Sequence, residues 1–212
     1  MRHFPLFDLK LTTPRLELRF PSLDDLEQIA DVAAEGVHEP GFMPFTFPWS
    51  DTTPGKRALS VIQHQFRLWG GVTPEDWSLE LAVVHDGRAI GFQGLTASDF
   101  AVRKEVLSGS WIGRRFQGQG IGTEMRGAIL HLAFAGLKAD YATTDVFEDN
   151  LASLGVTRKL GYHEDGMRTH NRQGRRVNVR LFRLAVQDWT PRPDIEIHGL
   201  EACLPFLGAE EA

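Results

Sequence analysis

Gly109-Ser-Trp-Ile-Gly-Arg-Arg-Phe-Gln-Gly-Gln-Gly-Ile-Gly-Thr-Glu-Met125 is the stretch on which the rest of the chain turns. An apolar strand, Val106 to Ile112, runs into it, and an amphipathic helix reaching to about Leu137 leaves it. Three glycines in five positions, Gly118, Gly120 and Gly122, let the backbone approach a ligand closely. Successive N–H groups then point one way, where the helix dipole adds positive potential. Such a turn is a phosphate cradle. The two commoner glycine loops fail on residue identity. A dinucleotide fingerprint counted from Gly118 ends on Thr123 and one counted from Gly120 ends on Met125, and no Gly-Lys-[Ser/Thr] of a P-loop is present.

Outward from this loop the elements alternate. Arg15 to Phe20 has strand alternation, with Leu16, Leu18 and Phe20 on one face. Ser22, three residues ahead of Asp25, caps a helix carrying Leu23, Leu26, Ile29 and Ala30. Gly36 to Trp49 holds three prolines among Phe42, Met43, Phe45, Phe47 and Trp49, more aromatic surface than a connector needs. A helix over about 54–69 follows, with Leu59, Ile62, Phe66 and Trp69 on its apolar side. Asp86-Gly87 between Trp77–Val84 and Arg88–Thr96 marks an antiparallel hairpin. Tyr141 to Phe147 is a buried strand, Asn150 to Leu160 a helix, and Tyr162 to Thr169 with Arg176 to Leu184 a last hairpin. The fold class is α/β with a mixed sheet of about seven strands: one domain over 1–189, then an appendage over 190–212.

Composition bounds the partners. At 212 residues, 42% hydrophobic and 24% charged, the chain is globular rather than disordered or fibrous. A net charge of −5 speaks against nucleic acid as the main partner. One cysteine, Cys203, makes neither an internal disulfide nor a multi-thiolate site, so no metal is expected. No segment has the apolar length of a signal peptide or membrane span, and a cytoplasmic location away from membranes is expected.

Gln117, Gly120 and Gly122 fill the pattern Q/R-x-x-G-x-G/A, which resembles the pyrophosphate-binding motif of the GNAT superfamily of acyl-CoA-dependent N-acyltransferases. Gly109 to Gly113 before the loop, Thr123-Glu124 after it, Asn150-Leu-Ala-Ser153 and Arg158-Lys-Leu-Gly-Tyr162 extend the likeness to the RimJ/RimL-like branch that acetylates ribosomal-protein N-termini. The resemblance covers about 11–189. It implies a mostly antiparallel central sheet flanked by helices on both faces, and a coenzyme A pyrophosphate held by Gln117, Gly118, Gln119, Gly120, Ile121, Gly122 and Thr123. It also places Trp111, Ile112 and Gly113 on the strand beside the pantetheine, and Asn150, Ser153 and Arg158 along the coenzyme.

The implied activity moves an acetyl, or alternatively a succinyl, group from acetyl-CoA or succinyl-CoA to a primary amine by direct attack in a ternary complex. The acceptor is a small molecule, a protein N-terminus or a lysine. Such chemistry needs a base, an oxyanion donor and a proton for the thiolate. Where many members carry a tyrosine acid this chain has Thr157, so Ser153 is the candidate for the thiolate. Where several carry a carboxylate it has Leu107, which leaves Asp99, Glu105 and His170 as candidate bases by position. Seven of the 23 Lys and Arg fall between Arg158 and Arg180, which would suit a 3′-phosphate or a dicarboxylic acyl group. The acceptor wall is expected at Phe42 to Trp49, and the apolar tail from Ile195 to Leu207 offers a surface for a homo-oligomer. The rival function is a coenzyme A-binding sensor of the same fold with little turnover.

Overall fold

In the computed structural model, which describes residues 1–210, nine strands form one sheet. They are β1 (Lys10–Thr12), β2 (Leu16–Arg19), β3 (Asp76–His85), β4 (Arg88–Ser98), β5 (Glu105–Ile112), β6 (Tyr141–Phe147), β7 (His163–Arg172), β8 (Arg175–Ala185) and β9 (Glu196–His198). Their order is β7-β8-β6-β5-β4-β3-β2-β1-β9, and every pairing is antiparallel except β5 with β6. The helices are α1 (Leu23–Glu35), α2 (Pro54–Gly71), the single turn α3 (Phe100–Arg103), α4 (Ile121–His131) and α5 (Leu151–Lys159). Leu132–Gly136 continues α4 as a π-helical turn.

Strand alternation divides the interior into two layers. On β3, Leu79, Leu81 and Val83 face a core completed by Met125, Ala128, Ile129 and Leu132 of the α4 segment. Ala82 and Val84 face the other way, against Leu26, Ile29 and Ala33 of α1 and Val61 of α2. Helices therefore cover both faces, as the mixed-sheet class requires. α1 starts at a capping box: Ser22 Oγ accepts from the Asp25 amide, and the Asp25 carboxylate accepts from the Ser22 amide. Asp86 and Gly87, both at positive φ, form the tight turn between β3 and β4.

Two features differ from the sequence reading. On α2 the buried positions are Val61 and Gln65, while Leu59 and Phe66 are exposed, because the helix turns Val61 into the layer it shares with α1 and Gln65 onto Glu80 of β3, a face rotated from the expected stripe. The sheet also gains β1 and β9 at one edge. Of the segment 190–212, expected as an appendage, the described part, 190–210, supplies β9 and buries Ile195, Cys203 and Leu207 in the same core as α4. The apolar tail thus covers its own chain.

Candidate functional site

The parallel pairing of β5 with β6 lasts three residues, Glu105 to Leu107 against Tyr141 to Thr143. Ser108 Oγ donates to the Thr143 carbonyl (3.2 Å), and Thr144 Oγ1 donates to the Ser108 carbonyl (3.1 Å). Beyond that point β5 follows β4 and β6 follows β8, so the strands part. The gap opens into a cleft of about 980 Å³ that reaches both faces of the sheet. On the α4–α5 face it is lined by Ser110, Gly118, Gly120, Gly122, Arg126, Ser153 and Val156. On the α1–α2 face it is lined by Phe42, Phe45, Trp49, His64, Glu80 and Trp111.

The glycine loop lies at one mouth. Gly118 and Gly120 take left-handed φ of 74° and 80°, and Gly120 is the N-cap of α4. Among the described residues the amides of 118–122 donate to no backbone or side-chain acceptor, whereas Gln117 N–H is taken by Arg114 and Thr123 N–H by Gly120. Five unpaired amides at a helix N-terminus are what a diphosphate requires. The loop is braced from behind. Gln117 Nε2 donates to the carbonyls of Val37 (2.9 Å) and Ile112 (3.1 Å), and Glu124 accepts from Thr13, the Arg15 amide and Arg15 Nε.

The other sequence candidates separate. Trp111, Ile112, Gln117, Thr123, Asn150 and Ser153 line the cleft. Asn150 Oδ1 also caps α5 by accepting from the Ser153 amide (3.2 Å). Gly113 packs where a Cβ would lie 2.4 Å from Val32, Ile121 is buried in the core, and Gln119 turns its amide to the Arg115 carbonyl. Arg158 lies off the cleft and Lys159 lies on it: Ala152, Val156 and Lys159 share one face of α5, and position 158 is rotated away from them.

Asp99 and Glu105 do not reach the cleft. Asp99 starts α3 at the far end of β4, and Glu105 sits where β5 and β6 are still paired, bonded to Arg103 and Arg183. His170 is at the rim on the α1–α2 side, its Nε2–H donating to the Thr46 carbonyl (3.1 Å) and its ring against Phe147. In the arginine-rich hairpin, Arg168 pairs with Asp145, Arg172 with Asp149, and Arg180 with Glu148 and Glu164. Those charges are committed within the protein.

Two residues that position alone did not select stand out. Glu80 projects from β3 to the α1–α2 face, where Gln65 Nε2 donates to it and His64 Nε2 lies 3.5 Å away. That carboxylate holds the His64 imidazolium, pushing its pKa above the ordinary 6.5. The other carboxylates on this face, Glu39 and Asp145, are each paired with an arginine. Arg126, on α4, is the second residue and is buried. A charge within the apolar runs Leu79–Val84 and Met125–Leu130 is the signal that would have marked both.

A mixed sheet parted between two parallel strands, with a glycine-rich helix N-terminus at the opening, is the architecture to set beside those of known proteins. Residues 15–163 match the family model described as the acetyltransferase (GNAT) domain, and the chain belongs to that family. It is 29% identical over 124 residues to the "Probable N-acetyltransferase YjcK" of Bacillus subtilis (strain 168), a match spanning 57% of this chain and 64% of that relative. Among solved structures it resembles RimL, the ribosomal L7/L12 alpha-N-protein acetyltransferase crystallised with coenzyme A (TM-score 0.64, 17% identity, 82% of this chain and 95% of that one). It also resembles the microcin C7 self-immunity acetyltransferase MccE, crystallised with acetyl-CoA and AMP (TM-score 0.63, 15% identity, 81% and 93%). Among the described residues there is no cluster of His, Cys, Asp and Glu that could hold a metal ion, and no helix is long and apolar enough to cross a membrane.

Proposed function

We propose that the protein is an acyl-CoA-dependent N-acyltransferase that uses acetyl-CoA and a primary amine. The observation that carries this is the set of unpaired amides at 118–122 opening onto a cleft that crosses the sheet. The coenzyme supplies an activated acyl thioester. The chain's own part is to hold its diphosphate at 118–122 and to flank the pantetheine with the free edge of β5 and with Ser153. Acetyl is favoured over succinyl because three of the hairpin arginines that suggested a dicarboxylic donor, Arg168, Arg172 and Arg180, are already ion-paired, and Arg158, Arg175 and Arg176 lie off the cleft.

The amine enters from the other face. Phe45, Trp49 and Trp111 stack in sequence, with centroids 5.2 and 5.1 Å apart, and form a wall suited to the apolar flank of an amine, from a small molecule or a peptide N-terminus. Of the carboxylates on this face Glu80 alone has no arginine or lysine partner among the described residues, its charged neighbour being the titratable His64 ring 3.5 Å away, so Glu80 takes the proton that the ammonium must lose. A base so placed favours turnover over a sensor.

Acetyl-CoA at about 100 times its Kd should stabilise the fold by about 2.7 kcal/mol, a rise in Tm of roughly 5–10 °C. No rise with acetyl-CoA, succinyl-CoA or free coenzyme A would contradict the assignment. Acetyl-CoA should also be turned over faster than succinyl-CoA. Glu80→Gln, which keeps the shape and the bond to Gln65, should lower kcat by about 100-fold and leave coenzyme affinity unchanged. Unaltered kcat would remove Glu80 as the base.

A further inference from the structure

Arg126 is an isolated charge in the floor of the cleft. It is 6% exposed and stands in the second turn of α4. Nη1 donates to Thr157 Oγ1 (3.1 Å) and Nη2 to Ser110 Oγ (3.3 Å), while buried Nε meets no acceptor. Both partners are neutral hydroxyls. Among the described residues no carboxylate pairs with it: Glu124 is bonded to Thr13 and Arg15, and Asp194, beyond Gly127, to Arg192. Tyr162 does not balance it either. Burial pushes that phenol above its ordinary value, and its Oη lies 3.1 Å from Ser108 Oγ.

Burial pulls the guanidinium down from its ordinary value, yet an arginine stays protonated in a protein. A buried charge without a counter-ion costs several kcal/mol, and an apolar side chain of similar size would remove that cost. Packing therefore gives no reason for Arg126.

Its position supplies one. Ser110 and Arg126 both line the cleft on the α4–α5 face. Ser110 lies two residues past Ser108, the last position of β5 bonded to β6. A coenzyme gripped at 118–122 and reacting with an amine on the far face brings its sulfur to this level, just short of the gap.

We propose that Arg126 holds the coenzyme sulfur as a thiolate, so that the leaving group departs against a fixed positive charge. The proposal rests on the acyl-CoA function above and adds a role that function does not require. In the transfer the amine nitrogen bonds to the acyl carbon, the C–S bond breaks with its electron pair kept by sulfur, and the amine's proton passes to Glu80. The charged groups around this point are Arg126 and, behind α4, the Arg192–Asp194 pair; Ser110, Thr157 and Tyr162 are neutral.

The test is a titration of the thiol of bound coenzyme A, followed by thiolate ultraviolet absorbance, in the parent protein, Arg126→Met and Arg126→Lys. A cation at this range should lower the bound thiol's pKa by about 1–3 units relative to free coenzyme A. Arg126→Met should abolish the shift, Arg126→Lys should restore part of it, and kcat should follow in the same order. Arg126→Met should also raise Tm, since it removes a buried unpaired charge.

An unshifted thiol in the parent protein, or an equal shift in Arg126→Met, would overturn the proposal while leaving coenzyme binding established. So would a lower Tm in Arg126→Met with the thiol shift intact, which marks a structural role. A loss confined to succinyl-CoA turnover would reassign Arg126 to an acyl carboxylate. Failure of coenzyme A to bind the parent protein would overturn both the proposal and the function beneath it.

Discussion

Protein carrying Gly122→Trp should melt like the parent and bind no coenzyme A, whereas Gly122→Ala should bind normally. A Cβ at position 122 would lie 3.8 Å from Val156 Cγ2, an ordinary van der Waals distance, so alanine fits without displacement. The backbone there is not left-handed, and adding a side chain in the first turn of α4 costs the helix nothing. An indole has nowhere to go except the cleft between α4 and α5, across the unpaired amides of 118–122. Affinity should fall by at least about 100-fold, or about 2.8 kcal/mol. Calorimetric titration of the three proteins reads this directly, and binding by Gly122→Trp within threefold of the parent would place the coenzyme elsewhere. Gly120 is the less informative target, because its φ of 80° strains any replacement and mixes folding with binding.

That loop was legible in the sequence because its signal is local. Glycines at fixed spacing, a strand before and a helix after need no knowledge of distant contacts, and the same holds for the Asp86-Gly87 hairpin and for Tyr141 to Phe147, whose limits coincide with β6. Position along the chain was a poor guide to which carboxylates reach the cleft. Asp99 and Glu105 lie near strand ends, but only the parting of β5 from β6 decides which end is open, and that parting is a property of two strands about 35 residues apart. Glu80 lay hidden for the same reason. Its alternation with Leu79 and Leu81 fits a half-solvated strand, and only the placement of α2 over it converts a surface carboxylate into a cleft one. Lys159 and Arg158 differ by one helical step, which no charge count resolves.

The edge strands β1 and β9 were illegible because each is three residues long and their pairing joins Lys10–Thr12 to Glu196–His198. Nothing in either segment carries a strand period long enough to read.

Deleting the residues after Pro193 should therefore abolish cooperative folding, although the family match ends at 163. Leu207 and Cys203 are fully buried, Ile195 nearly so, and Trp77 Nε1 donates to the Leu207 carbonyl (3.0 Å) from within the core. Losing buried side chains of this size costs about 1.5–3 kcal/mol each, and a stranded indole N–H costs a further 1–3 kcal/mol. The total rivals the whole stability of an ordinary domain, about 5–15 kcal/mol. The tail is also fitted closely: a Cβ at Gly199 would lie 2.1 Å from the Asp8 carbonyl oxygen, and Leu200 and Ile197 pack over Gly136 at the end of α4. Leu207→Ala in the full chain is the graded version and should cost about 2–5 kcal/mol. Thermal melts followed by circular dichroism check both. A truncated protein that unfolds cooperatively within a few degrees of the parent would show the tail to be dispensable. The site should feel the loss as well, since β9 pairs with β1, β1 with β2, and the segment leading into β2 holds Glu124 through Thr13 and Arg15. In Leu207→Ala, coenzyme affinity should fall by less than stability does, because Leu207 is not among the residues that line the cleft.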